Sequence, residues 1–135
     1  MNEENKKLLL KDLSARLTHG VKLMIDKKYL TEDMIKAGYD KTQELYCITR
    51  EGNVELLNMA YHMPVEAIKP YLLPLSSMTA EQKREYVHIA NECSNIASSQ
   101  IIGITIQDWF DKNHIDYRGL IPKRLAEDAT YLDLY

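Results

Sequence analysis

The sequence contains few of the residues from which disulfide, metal-binding and phosphate-binding motifs are built. It has two cysteines and five glycines among 135 residues. Two cysteines are too few for the disulfide framework of a small secreted domain, and five scattered glycines form no phosphate-binding loop. No window approaches the ~20 apolar residues that a transmembrane helix needs. A disulfide-rich secreted domain, a P-loop enzyme and a membrane-spanning protein are therefore not expected.

The two cysteines also stand alone. Cys47 and Cys93 belong to no CxxC pair, and no histidine lies at a metal-ligand spacing from either. We expect both to be buried free thiols in a reducing compartment. The opening stretch, MNEENKKLLLKD, is too polar for a signal peptide, so a cytoplasmic location is expected. The HExxH, EF-hand and nucleophile-elbow motifs are absent, and no metal or cofactor site is predicted.

Charge is slightly negative and unevenly distributed. The net charge is −3, which argues against a protein whose whole surface grips nucleic acid. Residues 1–50 carry ten Lys and Arg against eight Asp and Glu, residues 51–100 carry three against six, and residues 101–135 carry four against six. Weak nucleic-acid binding by the basic N-terminal part is therefore one alternative function. Its candidate contacts are Lys6, Lys7, Lys11, Lys22, Lys27 and Lys28.

The length and the composition are those of one globular domain. Hydrophobic residues make up 45% of the chain and charged residues 27%, which is ordinary for a folded protein. A chain of this size buries roughly two-thirds of its unfolded surface, enough for one core without disulfides or metals. We therefore expect residues 1–135 to form a single domain.

The first half of the chain alternates between helical and strand patterns. Leu10, Leu13 and Leu17 recur at helical spacing, whereas Val21, Leu23 and Ile25 alternate with polar neighbours in the manner of a half-buried strand. In chain order, we predict a helix over 4–18 that stops at Gly20, a strand over 21–26, a short helix capped by Thr31 and ending at Gly38, and a β-hairpin of residues 43–49 with 54–59.

The second half begins with three prolines in eleven residues: Pro64, Pro70 and Pro74. Each proline removes a backbone donor and disfavours helix before it, so we predict an extended, ordered segment crossing from the sheet to the helices. Thr79 and Gln82 then form a capping box that predicts a helix over 80–93.

A further helix is predicted from about Gln100, with a strand over Ile101–Ile106 as its rival, because β-branched residues dominate there. Pro122 is predicted to open a short helix over Lys123–Ala129, and the TYLDLY stretch is expected to be a docked or frayed end. The fold class is therefore α+β, with an N-terminal helix, a small antiparallel sheet, a proline-rich crossing segment and two or three C-terminal helices.

The stretch Asp108–Asp128 holds the only Trp and the only Phe, Trp109 and Phe110. One interpretation is a corner that closes the core, with Gly119 in the turn and Arg118 either pairing with Asp108, Asp111 or Asp116 or lying on an aromatic face. The other is an exposed hot spot for a partner protein, because Tyr, Trp and Arg dominate interface energetics. The candidate contacts of that hot spot are Tyr117, Arg118 and His114.

A third function class is a small enzyme with a His/Glu site. Histidine titrates near neutral pH and, next to a carboxylate, suits general acid–base chemistry. His62, Glu66 and His114 are the candidate residues, although Pro64 makes a helical pairing of His62 with Glu66 doubtful.

Three blocks of the sequence resemble a group of short proteins from gut Bacteroidales genomes and their phages and prophages. The blocks are KDLSARLTHGVK (Lys11–Lys22), IKPYLLPLSSMTAEQ (Ile68–Gln82) and DWFDKNHIDYRGLIPKRLAEDA (Asp108–Ala129). They match the group's pattern in order and span most of the chain. The resemblance implies a gut-bacterial or mobile-element setting and no particular activity, so no catalytic residue is carried over from it.

The sequence alone does not reveal a biochemical function. A non-catalytic protein-interaction or regulatory module is the leading hypothesis, as a phage or prophage accessory protein that binds a host or phage protein. A homo-oligomer is left open.

Overall fold

The computed structural model describes residues 1–57, 62–94 and 99–135, with side chains described outside 93–105. It has the predicted α+β architecture: an N-terminal helix, a mainly antiparallel sheet and C-terminal helices. The elements are α1 (Glu3–Arg16), β1 (Lys22–Ile25), α2 (Glu32–Lys36), β2 (Gln43–Ile48), β3 (Asn53–Leu56), β4 (His62–Pro64), β5 (Ile68–Leu72), α3 (Ala80–Ser94), α4 (Ser99–Lys112) and β6 (Glu127–Asp128).

The six strands form one sheet in the order β4-β3-β2-β1-β5-β6. Adjacent strands in the sheet are antiparallel, except β5 and β6, which are parallel. One face of the sheet carries the core and packs against α1, whose Leu9 and Leu13 are fully buried. The largest strand contributions to this core are Leu23, Leu56, Ile68 and Leu72.

The predicted elements of the first half are confirmed. Asn2 begins α1 by accepting the Asn5 N–H at 2.7 Å, and Gly20 ends the following turn in the left-handed conformation at φ 67°. Thr31 caps α2 by accepting the Met34 N–H, and β2 and β3 form the hairpin. The remainder of the predicted second hairpin strand, residues 58 and 59, lies outside the described residues.

The proline-rich segment is extended, as predicted, and its first half is itself a strand. β5 lies between β1 and β6, with Leu23 opposite the buried Pro70. Backbone groups on a strand alternate between its two neighbours. The Leu72 carbonyl accepts from Ala129 on the β6 side, so the nitrogen of Pro70 faces that side too. Pairing of β5 with β6 begins only at Tyr71. The N–H that Pro70 lacks would therefore have had no partner in β6, and no hydrogen bond of the sheet is lost.

The two C-terminal helices follow from local signals. The capping box is confirmed: the Thr79 N–H donates to Gln82 Oε1 at 2.9 Å, and the Gln82 N–H donates to Thr79 Oγ1 at 3.1 Å. Residues 101–106 belong to helix α4 and not to a strand. In the part of the chain that the structure describes, no helix combines the length and apolarity that crossing a membrane requires.

The predicted helix over Lys123–Ala129 is wrong. Residues 120–124 form turns instead, and the chain then enters the short strand β6. Asp116 holds the turn, because its carboxylate accepts the N–H groups of Leu120 and Ile121, each at 2.8 Å. Arg124 adopts a left-handed φ of 60°, which ends any right-handed helix there. Pro122 favours the start of a helix, but a helix of only a few residues is too unstable to form against these contacts.

Candidate functional site

A cluster of four charged side chains lies where α1, the end of α4 and the loop after α4 meet. Its members, called the charge cluster below, are Asp12, Arg16, Asp111 and Arg118. The side chains of Asp12 and Arg16 are fully buried, and those of Asp111 and Arg118 are 7% and 10% exposed. So many buried charges occur only where each one is paired.

Arg16 connects α1 to the C-terminal end of α4. Its Nε donates to Asp12 Oδ2 at 2.9 Å, one turn earlier on the same helix. Its two other nitrogens reach main-chain oxygens, with Nη2 at 2.7 Å from the Ile115 carbonyl and Nη1 at 3.4 Å from that of Phe110. The last carbonyls of a helix have no partner within the helix and favour a positive charge. Arg16 therefore caps α4 from a different element.

Arg118 completes the cluster from the loop. Its Nη1 lies 2.8 Å from Asp12 Oδ1 and 2.8 Å from Asp111 Oδ1. Its guanidinium also lies 4.2 Å from the centre of the Tyr117 ring, which stacks on Phe110. Burial alone would lower the pKa of Arg118, but the hydrogen bonds to Asp111 and Asp12 outweigh it and raise that pKa. Burial raises the pKa of Tyr117 to about 12.

These contacts make the charge cluster a structural brace. Two carboxylates face two guanidinium groups, and both of the latter are hydrogen-bonded. Of the three partner-contact candidates, His114 is 8% exposed and Tyr117 and Arg118 are partly buried. Their contact with another protein stays a prediction, and the pairing of Arg118 with Asp111 agrees with the corner interpretation.

Two members of the cluster were not anticipated from the sequence. Asp12 is 106 positions away from Arg118, so no local spacing relates them. A signal was nevertheless present in α1: the fully buried positions are Leu9, Asp12, Leu13 and Arg16. This is the i, i+3, i+4, i+7 spacing of a core-facing stripe, and it contains an acid and a base one helical turn apart.

His114 lies beside the cluster in an unusual conformation. It adopts a left-handed φ of 58°, and its ring stacks on that of Tyr135 with centroids 3.7 Å apart. Its buried Nδ1 has no hydrogen-bond partner among the described residues. Burial lowers the pKa of His114 to about 4, and the nearby positive charge of Arg16 adds to the effect. The imidazole is therefore neutral at physiological pH.

The three candidate residues of a His/Glu site have separate partners. His62 Nδ1 lies 3.2 Å from Glu55 Oε1 on the exposed face of the sheet, Glu66 pairs with Lys6, and His114 stacks on Tyr135. The structure therefore provides no arrangement in which they act together.

Glu55 also accepts a hydrogen bond from the thiol of Cys47, at 3.1 Å. That hydrogen bond, with burial and the negative charge of Glu55, raises the pKa of Cys47. A reactive cysteine needs a lowered pKa, so this half-buried free thiol is not an activated nucleophile. Cys93 has no described side chain. Among the residues with described side chains, no group of three His, Cys, Asp or Glu is placed to hold a metal ion.

The candidate nucleic-acid contacts are distributed over three elements. Lys6 pairs with Glu66 at 3.1 Å and Lys22 with Glu44 at 2.9 Å, so two of the six charges are matched by carboxylates. The other four are exposed: Lys7 and Lys11 on α1, and Lys27 and Lys28 in the turn after β1. Nucleic-acid binding stays a prediction.

None of the residues of helix α3 from 80 to 92 is buried. Its inner side contacts α4: the Tyr86 ring lies 6.1 Å from that of Trp109, whose Nε1 donates to Glu85 at 3.3 Å. Its outer side includes Val87, which is 53% exposed. A shallow hollow of about 420 Å³ on that side is lined by Lys83, Arg84, Val87, His88 and Asn91.

The chain matches no family model, no curated protein and no solved structure. The resemblance to proteins of gut Bacteroidales and their phages therefore stays a hypothesis.

Proposed function

We propose that the protein is a non-catalytic interaction module that binds an acidic, amphipathic segment of another protein along the outer side of α3. The observation that carries the proposal is an exposed apolar residue, Val87, one helical turn from Lys83 and Arg84, which pair with no carboxylate among the described side chains, on a helix with no buried residue from 80 to 92.

The outer side of α3 has a regular composition. Lys83, Val87 and Asn91 are spaced at i, i+4 and i+8, which places them on one line along the helix. Arg84 and His88 form the parallel line beside it. Among the described side chains, neither Lys83 nor Arg84 pairs with a carboxylate, whereas His88 lies 3.2 Å from Glu92. The surface therefore offers an apolar contact with two positive charges one helical turn away from it.

An acidic amphipathic helix fits this surface best. Its apolar face would cover Val87, and its carboxylates would approach Lys83 and Arg84. Charge complementarity of this kind directs encounter and orientation more than it adds affinity, while apolar contact in a groove is the usual source of affinity for a bound helix. A helix of 15 residues is marginal on its own, so α3 itself gains stability when its second side is covered.

The remainder of the molecule supports a non-catalytic role. The charge cluster is internally paired, and the thiol of Cys47 is held in its protonated form by Glu55. Following the family resemblance, we propose a host or phage protein in the cytoplasm as the partner.

Site-specific crosslinking tests the proposal. A photoreactive amino acid is placed at position 87 and, as a matched control, at position 46, where Tyr46 is 62% exposed on β2. We expect a discrete protein adduct at position 87 and not at position 46. Equal adducts at the two positions, or none at 87, would contradict the proposal.

The captured protein is then purified and its Kd measured by titration calorimetry. We expect Arg84→Glu to weaken binding at least about tenfold, because it reverses a charge next to the apolar contact. Lys11→Glu makes the same charge reversal at an exposed position of α1 and is expected to change Kd less than about twofold. Equal losses in both variants would show a nonspecific effect of net charge.

A further inference from the structure

The segment Thr130–Tyr135 is hydrogen-bonded to the sheet by its last side chain. Tyr131 is 96% exposed and Leu132 is 48% exposed, so neither contributes much to the core. A small cavity of about 130 Å³ lies beneath the segment, lined in part by Leu73 and Ala129. Tyr135 is 44% exposed, but its hydroxyl lies between two strands.

The Tyr135 hydroxyl makes two hydrogen bonds there. The main-chain N–H of Lys22 donates to its oxygen at 2.9 Å, and the hydroxyl donates to the Tyr71 carbonyl at 2.7 Å. β1 and β5 are paired at the preceding position, where Leu23 lies opposite Pro70. The hydroxyl therefore takes the place of the next hydrogen bond in the ladder.

The groups that hold the Tyr135 side chain all lie outside its own segment. Lys22 is in β1, Tyr71 is in β5, and the stacking ring of His114 follows α4. His114 is fixed in turn by its carbonyl, which accepts the Leu73 N–H at 2.9 Å. We propose that these three groups form a recognition slot for a tyrosine side chain, occupied by Tyr135 and open to another para-substituted phenol when the segment is released.

The slot distinguishes a phenol from a plain aromatic ring. It presents one donor and one acceptor to a single hydroxyl, together with a flat ring on which the ligand stacks. A phenylalanine or toluene ring would leave the Lys22 N–H and the Tyr71 carbonyl without partners, and sites with unmatched polar groups reject such analogues strongly.

The segment is built to be released. Apart from Tyr135, its main-chain anchoring includes the Leu132 N–H bond to the Ala129 carbonyl at 3.1 Å. Asp133 adopts a left-handed φ of 49°, a conformation that costs free energy in a residue other than glycine. Exposed segments with few anchors open locally without global unfolding. The tyrosine of a second copy of this chain has the same chemistry and is a second source of ligand.

Small-molecule rescue tests the slot. Y135A is titrated with p-cresol, with toluene as the matched ring that lacks a hydroxyl, and thermal unfolding is followed for the variant and for the wild type. At a p-cresol concentration about ten times its Kd, we expect the Tm of Y135A to rise by about 3–5 °C. Toluene should leave the Tm of Y135A unchanged, and p-cresol should leave that of the wild type unchanged.

Three results would overturn the proposal: no stabilisation of Y135A by p-cresol, equal stabilisation by toluene, or an equal Tm shift in the wild type. If Y135A does not fold alone, it is refolded with each compound present. Recovery of folded protein with p-cresol and not with toluene supports the slot, and recovery with neither overturns it.

A second measurement distinguishes the sources of the tyrosine. The mass of the wild type in solution is measured over a wide range of protein concentrations. A dimer that forms with the wild type and not with Y135A supports occupation by a second copy. A monomer throughout supports occupation by the chain's own Tyr135.

Discussion

Among single residues, Arg16 carries the largest share of the contacts at the corner between α1 and α4. It is fully buried and reaches Asp12 and the carbonyls of Phe110 and Ile115. Without Arg16, the two buried carboxylates of Asp12 and Asp111 share the single guanidinium of Arg118, and a buried charge that loses its partner costs about 3–5 kcal/mol. We therefore expect Arg16→Met to lower the free energy of unfolding by that amount, measured by urea denaturation.

Lys11→Met is the matched control for this substitution. Lys11 is exposed on the same helix, and we expect its replacement to change the free energy of unfolding by less than about 0.5 kcal/mol. A loss below about 1 kcal/mol for Arg16→Met would mean that Arg118, which also bonds Asp12, compensates for the missing guanidinium.

His114 makes the stability of the protein depend on pH. Its pKa is about 4 in the folded state and about 6.5 when unfolded. Because the unfolded state binds the proton more tightly, the contribution of His114 is fully present above pH ~6.5 and is lost as the pH falls towards ~4. The loss is at most about 3 kcal/mol.

The measurement is the free energy of unfolding between pH 7 and 4, for the wild type and for His114→Asn. Asparagine tolerates the left-handed conformation of this position and does not titrate. We expect the wild type to lose more stability than the variant over this pH window. Parallel curves would show that His114 becomes protonated in the folded state without penalty.

Helix α3 depends strongly on its N-terminal cap, because it has no buried residue among 80–92 to hold it. Thr79 and Gln82 satisfy two of the main-chain N–H groups at that end. We expect Thr79→Ala to destabilise the helix by about 1 kcal/mol. Faster hydrogen exchange in the first turns of α3 is the readout.

Thr79→Ser retains the hydroxyl and is the matched control, with exchange rates close to those of the wild type. Exchange that is unchanged in Thr79→Ala would show that contacts with α4 alone determine where α3 begins.

Elements that form through interactions between residues close in sequence were predicted correctly, and those that depend on distant contacts were not. α1, the β2–β3 hairpin and the start of α3 depend on caps and spacings within a few residues. β5 was anticipated as extended but not as a strand, because Pro70 is compatible with a sheet only when its nitrogen faces an unpaired position. That position depends on β6, about 57 residues further along the chain.

The charge cluster illustrates the same limit at the site. The Arg118–Asp111 pair spans seven residues and was among the predicted pairings. Asp12 and Arg16 contact this pair only because α1 packs against α4. The sequence pattern alone did not show that the side of α1 that carries them, and not the adjacent side, is buried. The orphan Nδ1 of His114 and the hydroxyl contacts of Tyr135 likewise depend on contacts between distant segments.

At the scale of the whole molecule, burial decreases from the sheet outward. The strands, α1 and the short connections next to them hold most of the fully buried residues, α4 contributes the buried Trp109 and Asp111, and α3 contributes none between 80 and 92. Regions with few buried apolar contacts open at lower free energy than the core does. The proposed binding surface lies on α3, which has few buried contacts to lose on opening, and a bound partner would therefore stabilise α3 more than the core.

Native-state hydrogen exchange tests this gradient. We expect amides of β1 and β5 to exchange only through global unfolding, and amides of α3 to exchange through a local opening that costs roughly half of that free energy or less. Arg16→Met should lower the opening free energy of β1 and leave that of α3 nearly unchanged, because Arg16 contacts the end of α4 and not α3. Equal protection of α3 and β5, or an equal response of both to Arg16→Met, would mean that α3 unfolds together with the sheet as one unit. In that case the exposed face of α3 would already be rigid, and partner binding would add no protection to it.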